Sequence, residues 1–259
     1  MDQMDITERQ KWIVDKLNRT GSVRISEISQ ELGISRETIR KDLYSLNQRG
    51  VVNAVRGGAV LPTSVKETKY DKRTKMNVSE KKEIASTALR FIKDGFSIFL
   101  DYGTTNFEVA EAIKKANFKD LTVVTNSTNV LKSLEYQKGI QIIFLGGNLR
   151  QSEGAVLGPL TINNISNIYC DIGFFGVGGI TLETGITNHY IAQVDVSRNM
   201  MEHCRIKVVL ADHTKFELTA LYKTTDVANV DIVITDHLID EKIARQMRLA
   251  DISFLDSKN

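Results

Sequence analysis

The chain has 259 residues, 42% of them apolar and 25% charged, with a formal net charge of +2. That length suits a small module joined to a medium-sized α/β domain with its own core, and the near-neutral balance excludes a chain that holds nucleic acid by bulk basicity. Cys170 and Cys204 have no metal-ligand spacing, and neither an eighteen-residue apolar run nor a signal-type segment is present, so a soluble, cytoplasmic protein with free thiols is expected.

Thr7-Glu8-Arg9-Gln10 opens a first helix with a capping-box pattern, and Trp12, Ile13 and Leu17 supply its buried side. Residues 25–32 read as a second, short helix, Gly33-Ile34 as a tight turn, and 35–48 as a third helix capped by Ser35. Ile39, Leu43 and Leu46 fall at i, i+4 and i+7 and form one apolar stripe. Arg36, Arg40 and Tyr44 share another face, with Thr38 and Lys41 beside them and Glu37 in the first turn, where the helix dipole favours it. A helix held by one face and offering two guanidinium groups on another suits the major groove of DNA. Gly50 stops it, and 51–60 read as a two-stranded wing turning at Gly57-Gly58 with Arg56 at its tip. Residues 1–60 are thus expected to be a winged helix-turn-helix that binds operator DNA through Ser35, Arg36, Glu37, Thr38, Arg40, Lys41, Tyr44 and Arg56. One short helix contacts few base pairs, so a homodimer or higher homo-oligomer is expected.

Residues 61–82 open at Pro62 and are studded with cations (Lys66, Lys69, Lys72, Arg73, Lys75, Lys81, Lys82); they read as a linker with a solvated surface that passes into a helix near Ser79. From 83 to 259 short apolar runs near 97–101, 121–125, 141–145, 172–175, 207–210 and 231–235 alternate with helical stretches near 106–116, 127–136, 158–169, 192–204 and 239–249. Such alternation predicts a mostly parallel sheet covered on both faces.

Ligands of such sheets sit outside the carboxyl ends of the strands. There the chain offers Asp101-Tyr102-Gly103-Thr104-Thr105, Thr125-Asn126-Ser127, Gly146-Gly147 with Arg150, Gly176-Val177-Gly178-Gly179, and Asp212-His213-Thr214-Lys215. Five successive ends each supply a glycine, a small polar group or a cation. A small, hydroxylated, phosphorylated anion fits them: Lys215, Arg150 and the helix start for phosphate, Asp101, Asn126 and Asp212 for hydroxyls.

The stretch Ser35-Arg36-Glu37-Thr38-Ile39-Arg40-Lys41-Asp42-Leu43, the wing ending Arg56-Gly57-Gly58-Ala59, the Asp101–Thr105 turn, Thr125-Asn126-Ser127, Gly146-Gly147 and the segment 211–216 resemble the DeoR family of bacterial transcriptional regulators. The resemblance spans nearly the whole chain in order. It implies a winged helix-turn-helix followed by a sensor domain similar to the ribose-5-phosphate isomerase and coenzyme-A transferase folds. It further implies repression of a sugar-catabolic operon, relieved by a phosphorylated sugar. The effector positions it carries over are Asp101, Gly103, Thr104, Thr105, Asn126, Gly146, Gly147, Arg150, Asp212 and Lys215, to which the strand-end reading adds Gly176. One stretch departs: where family members commonly show a Glu and, four residues on, a Lys-Arg pair, this chain has Gln193 and Ser197-Arg198.

The alternative is an enzyme, a sugar-phosphate isomerase or deaminase with an added DNA-binding module, in which Asp101 or Asp212 would be the base. No paired-carboxylate motif or well-placed His accompanies them, so no enzyme is expected. The four histidines lack a metal spacing, and Gly176-Val177-Gly178-Gly179 lacks the dinucleotide-binding spacing, so neither a metal nor a nicotinamide cofactor is expected.

Overall fold

The computed structural model describes residues 5–20, 22–48, 51–55, 57–60, 67–250 and 252–256. They belong to two compact units, 1–66 and 67–259.

In the first unit, α1 (Ile6–Thr20) begins one residue ahead of Thr7, because Asp5 accepts the Glu8 amide at 2.8 Å. Asp5 thus caps where Thr7 was expected. β1 (Ser22–Arg24) leads into α2 (Ile25–Leu32), which ends on Gly33 at φ +66°, a left-handed turn suited to glycine. α3 (Arg36–Gln48) follows, then β2 (Asn53–Val55) and β3 (Gly58–Val60). Ile13, Leu17, Ile28, Ile39, Leu43 and Leu46 pack with Val23, Val52 and Ala59 as one core. The wing has three strands, in the order β1-β3-β2, rather than two. β1 is only three residues long, and nothing in so short a run distinguishes it from loop. At Gly58 an added Cβ would stand 2.0 Å from the Val23 carbonyl oxygen, so only glycine lets β3 lie against β1. Gly50 and Arg56 lie outside the described residues.

The second unit takes in part of the stretch expected as linker. Residues 61–66 lie outside the described residues, but from Glu67 onward the chain belongs to this unit and forms α4 (Tyr70–Arg73) and the start of α5 (Val78–Leu89). Lys81 is a correction to the expected solvated surface: it is 4% exposed and its ammonium donates to the carbonyls of Arg73 and Met76, both at 2.6 Å.

β4 (Ser97–Leu100), α6 (Thr104–Ala116), β5 (Leu121–Thr125), α7 (Thr128–Leu134) and β6 (Ile140–Phe144) come next. A small hairpin, β7 (Asn148–Arg150) with β8 (Ala155–Leu157), precedes α8 (Pro159–Ile165) and β9 (Cys170–Gly176). After β10 (Gly179–Thr181) and β11 (Gly185–Asn188) come α9 (Ile191–Glu202), β12 (Cys204–Leu210) and β13 (Tyr222–Thr225), then β14 (Ile232–Thr235), α10 (Glu241–Leu249) and β15 (Ser253–Asp256).

Seven strands form one sheet in the order β15-β14-β12-β9-β4-β5-β6, every pair of it parallel. Alternation splits each strand between two cores. Ile98, Leu100, Phe174 and Val208 face α5, α6 and α7, while Phe99, Phe175 and Val209 face α8, α9 and α10. All six strands and five helices read from the sequence of this region are present. The architecture is the expected one, a winged helix-turn-helix followed by a parallel α/β domain. No helix of the described residues is long and apolar enough to cross a membrane.

The strand order sets where a ligand can enter. The chain runs from β4 outward to β5 and β6, then returns to the other side of β4 for β9. The direction of winding reverses between β4 and β9, and in open α/β sheets ligands bind outside the carboxyl ends at such a point.

Candidate DNA-reading surface and effector site

α3 is held from behind. Ile39, Leu43 and Leu46 are in the core, and the buried Asp42 carboxylate takes both Nε and Nη2 of Arg9, fixing α3 against α1. Ser35 accepts the Thr38 amide at 3.1 Å, and its hydroxyl is 2.9 Å from that of Thr38. Arg36, Glu37, Arg40, Lys41 and Tyr44 are exposed, the tyrosine by 65%. Arg40 is paired with Glu37 at 2.6 Å on the surface, a contact that phosphate or a base edge can exchange.

At the switch point Asp101 directly follows β4 and is fully buried. Ser197 of α9 donates to Oδ2 and the Tyr102 amide to Oδ1, each at 2.8 Å. Burial pushes the carboxyl up to about 7, against the pull of those two donors. Gly103, at φ +124°, turns the chain into α6, whose first residues are Thr104 and Thr105. Asn126 is buried at the end of β5 and donates to the Val156 carbonyl at 3.3 Å. Gly176 ends β9 with its missing Cβ pointed at the Tyr102 carbonyl and the Asn106 amide.

Arg150, on the β7 hairpin, donates to Glu67 and stacks on Tyr190 at 4.4 Å. Arg73 bridges Glu67 and the buried Glu153. His189 lies over Gly178; burial lowers its pKa, Glu67 opposes that shift, and Lys215, Arg73 and Arg150 reinforce it. The charges that act on this imidazole thus come from three stretches of the chain, around residues 67–73, 150 and 215. Lys81 is lowered to about 8 chiefly by burial, with Asp212 opposing and Lys215 adding to the shift.

Several residues read as ligand contacts have structural duties. Asp212 caps the short helical turn His213–Lys215, accepts the Thr214 amide and hydroxyl, and takes Asn77 Nδ2 at 3.1 Å. The Gly146 carbonyl accepts from Thr161 at 2.8 Å, and Gly147 lets α8 approach. Tyr102, Asn106, Glu67, Arg73, Glu153, Tyr190 and Asp236 were not read as site residues from the sequence, Arg73 being taken for a solvated linker cation. Asp236, buried after β14, pairs with His213 at 3.0 Å, and their shared hydrogen bond raises the imidazole pKa. Its signal was available, as the first residue beyond a predicted strand. Glu67 and Arg73 had none, since they lie within the apparent linker.

Five buried side-chain atoms lack a hydrogen-bond partner among the described residues, and four of them are here: Tyr102 Oη, Asn106 Oδ1, Asn126 Oδ1 and Arg150 Nη1. Such atoms cost free energy unless something fills them. No group of three His, Cys, Asp or Glu side chains among the described residues could hold a metal. A cavity of about 560 Å³ lies elsewhere, lined by Arg198, Met201, Glu202, Lys207, Asn229 and Asp231 among others, and no predicted effector residue borders it.

Residues 9–65 match the DeoR-like helix-turn-helix domain, and residues 76–237 match the DeoR C terminal sensor domain. The chain belongs to the DeoR family. As a DeoR-family chain it is a transcriptional regulator, with a DNA-binding module and a sensor domain. It is 35% identical over 232 residues to the HTH-type transcriptional repressor GlcR of Bacillus subtilis (strain 168), covering 89% of this chain and 88% of that one. It is 32% identical over 233 residues to the glycerol-3-phosphate regulon repressor of Escherichia coli (strain K12), covering 90% and 92%. It is 30% identical to a putative aga operon transcriptional repressor of Escherichia coli O157:H7, covering 96% and 93%. All three are named as repressors and none as an enzyme. Among solved structures, part of this DeoR-family chain is similar to ribose 5-phosphate isomerase from Plasmodium falciparum, with TM-score 0.40, 18% identity and coverage of 54% and 53%. It also resembles eIF2B beta from Chaetomium thermophilum, with TM-score 0.44, 12% identity and coverage of 88% and 77%.

Proposed function

We propose that this regulator is a cytoplasmic repressor of a sugar or sugar-derivative catabolic operon, released from its operator when a phosphorylated sugar binds at the β4/β9 switch point. The observation that carries the reading is the set of four unpaired buried polar atoms at the strand ends. Arg150 Nη1 is a donor awaiting an anionic oxygen, whereas Asn106 Oδ1 and Asn126 Oδ1 are acceptors awaiting hydroxyl-type donors. A molecule with phosphate at one end and several hydroxyls at the other satisfies both. Lys215 adds charge for the phosphate, and Asp101 and Asp212 add acceptors. The names of the relatives, a glycerol-3-phosphate regulon repressor among them, agree with a phosphorylated effector.

On the DNA side, α3 presents Arg36, Arg40, Lys41 and Tyr44 to the major groove, and Ser35, Glu37 and Thr38 set the start of that helix against the backbone. Two copies are needed for useful specificity, so the DNA-bound form is a homodimer or a larger homo-oligomer. The effector must bind the DNA-incompetent arrangement more tightly, since equal affinity for both would shift nothing.

A thermal-shift screen of the full chain against phosphorylated sugars, with their unphosphorylated parents as controls, tests the reading. A true effector at a hundredfold excess over Kd stabilises by about 2.7 kcal/mol and raises the melting temperature, and its parent does not. Lys215→Ala should still hold operator DNA and lose the response. A normal response at normal effector concentration in that variant would show the site to be elsewhere.

A further inference from the structure

Asp101 is set apart from the buried carboxylates that have a cation at hand, among them Asp256, which faces Arg248, and Asp212, whose charge acts on Lys81 and His213. Asp42 faces Arg9, Glu153 faces Arg73 and Asp236 faces His213. Asp101 has only uncharged donors, the Ser197 hydroxyl and the Tyr102 amide, and no cation among the described residues pairs with it. A fully buried carboxylate without a countercharge is costly to maintain.

Two further acceptors stand beside it. Asn126 follows the neighbouring strand β5, one register step from Asp101, because Leu100 pairs with Thr125. Asn106 lies in the first turn of α6, just after the Asp101–Gly103 turn. Both are fully buried, and the Oδ1 of each is unpaired. Their orientations are fixed, because each Nδ2 is already engaged, with the Val156 carbonyl for Asn126 and the Tyr102 carbonyl for Asn106. Turning either amide over would set oxygen against oxygen.

A sugar hydroxyl brings one donor and no charge to this cluster. A primary ammonium brings three N–H donors and the missing positive charge. We propose that the effector carries a primary ammonium group that seats on Asp101, with Asn126 and Asn106 as the further acceptors, so that the phosphorylated sugar is an amino sugar. Ser197 is then the residue that sets this preference: a small hydroxyl orients the carboxylate and leaves its charge for the ligand. The inference rests on the reading of this site as one for phosphorylated sugars.

Calorimetric titration of the full chain tests it with 2-amino-2-deoxy-hexose 6-phosphates of gluco and galacto configuration, their parent hexose 6-phosphates, and the N-acetylated forms. The free amine should bind at least about tenfold more tightly than both its parent and its N-acetyl form, as a charge-assisted contact requires. Asp101→Asn should abolish that ranking. Ser197→Lys, which puts a protein cation beside the carboxylate, should abolish it as well. Parents that bind as tightly as the amine, or an amine preference that survives in both variants, overturn the ammonium inference alone. No binding by any member of the panel also overturns the ammonium inference, while the thermal-shift screen decides the phosphorylated-sugar reading beneath it.

Discussion

Ser197 on α9 donates to Asp101 Oδ2 at 2.8 Å and so ties a helix on one face of the sheet to the strand end where the winding reverses. Under the proposed reading, an effector that takes hold of Asp101 would compete for, or reorient, that contact. On the next residue of α9, Arg198 donates to the carbonyls of Thr224 and Lys223 at β13.

Asp101 should make the unliganded protein less stable as pH rises. Burial pushes its carboxyl up to about 7 in the folded chain, against an ordinary 3.8, so between those values the folded state holds a proton that the unfolded state has lost. Its stabilising contribution is complete below about pH 4 and is lost as pH rises through about 7. Asp101→Asn removes the dependence. In urea unfolding at pH 8 the variant should be the more stable form, by no more than about 4 kcal/mol, with the difference shrinking at pH 5. Parallel stability–pH curves for the two proteins would refute the burial of a chargeable group there.

The Arg9–Asp42 pair should matter for DNA binding without touching DNA. Both side chains are buried, and the pair joins α1 to α3. Asp42→Ala takes this carboxylate from a buried guanidinium and should destabilise the first unit by about 3–5 kcal/mol. Limited proteolysis should cut that variant within residues 1–60 first, and ligand-induced protection of the sensor should be unchanged. A variant as resistant as the parent would mean that the pair contributes little.

Arg40→Ala should weaken specific operator binding by about 1–3 kcal/mol per half-site, the range for loss of one bidentate base contact. Non-specific DNA affinity should fall far less, and effector binding not at all. Competition titration with operator and scrambled duplexes separates the two effects. Equal losses on both duplexes would make Arg40 a phosphate contact. Unchanged operator affinity would remove it from the reading surface.

What was legible in the sequence followed from periodicity. The stripe Ile39, Leu43 and Leu46 needs no partner to be recognised, and short apolar runs such as Ser97–Leu100 declare strands buried on both faces. Strand-end turns could also be located, which placed Asp101 after β4 and Asn126 after β5. Pairing between distant segments was not legible. Glu67 and Arg73 are polar residues in a lysine-rich stretch, and only the fold brings them 83 and 80 residues away to Arg150 and Glu153. Short strands such as β1, β10 and β13 escaped for a related reason, since three or four residues acquire strand character only from the neighbour that pairs with them. Gln193 and Ser197 were noticed as departures, but the contact of Ser197 with Asp101 needed coordinates.

Gly147 was expected to approach the effector, and its surroundings give it a packing duty that can be measured without any ligand. It holds φ at +150°, and an added Cβ would meet Thr161 Oγ1 at 2.0 Å and the Leu157 carbonyl oxygen at 3.0 Å. The same threonine donates to the Gly146 carbonyl at 2.8 Å, so the close approach fixes α8 against the strand-end loop. Gly147→Ala therefore adds a clash to an unfavourable backbone angle, and should cost roughly 2–4 kcal/mol of sensor stability in the absence of effector. Adding Thr161→Gly relieves the clash but not the angle, and also removes the hydrogen bond. The double variant should recover only part of the loss. Urea unfolding of the parent, the two single variants and the double variant gives the coupling directly. If Gly147→Ala keeps parental stability and loses only effector binding, the glycine is there for the ligand and not for α8.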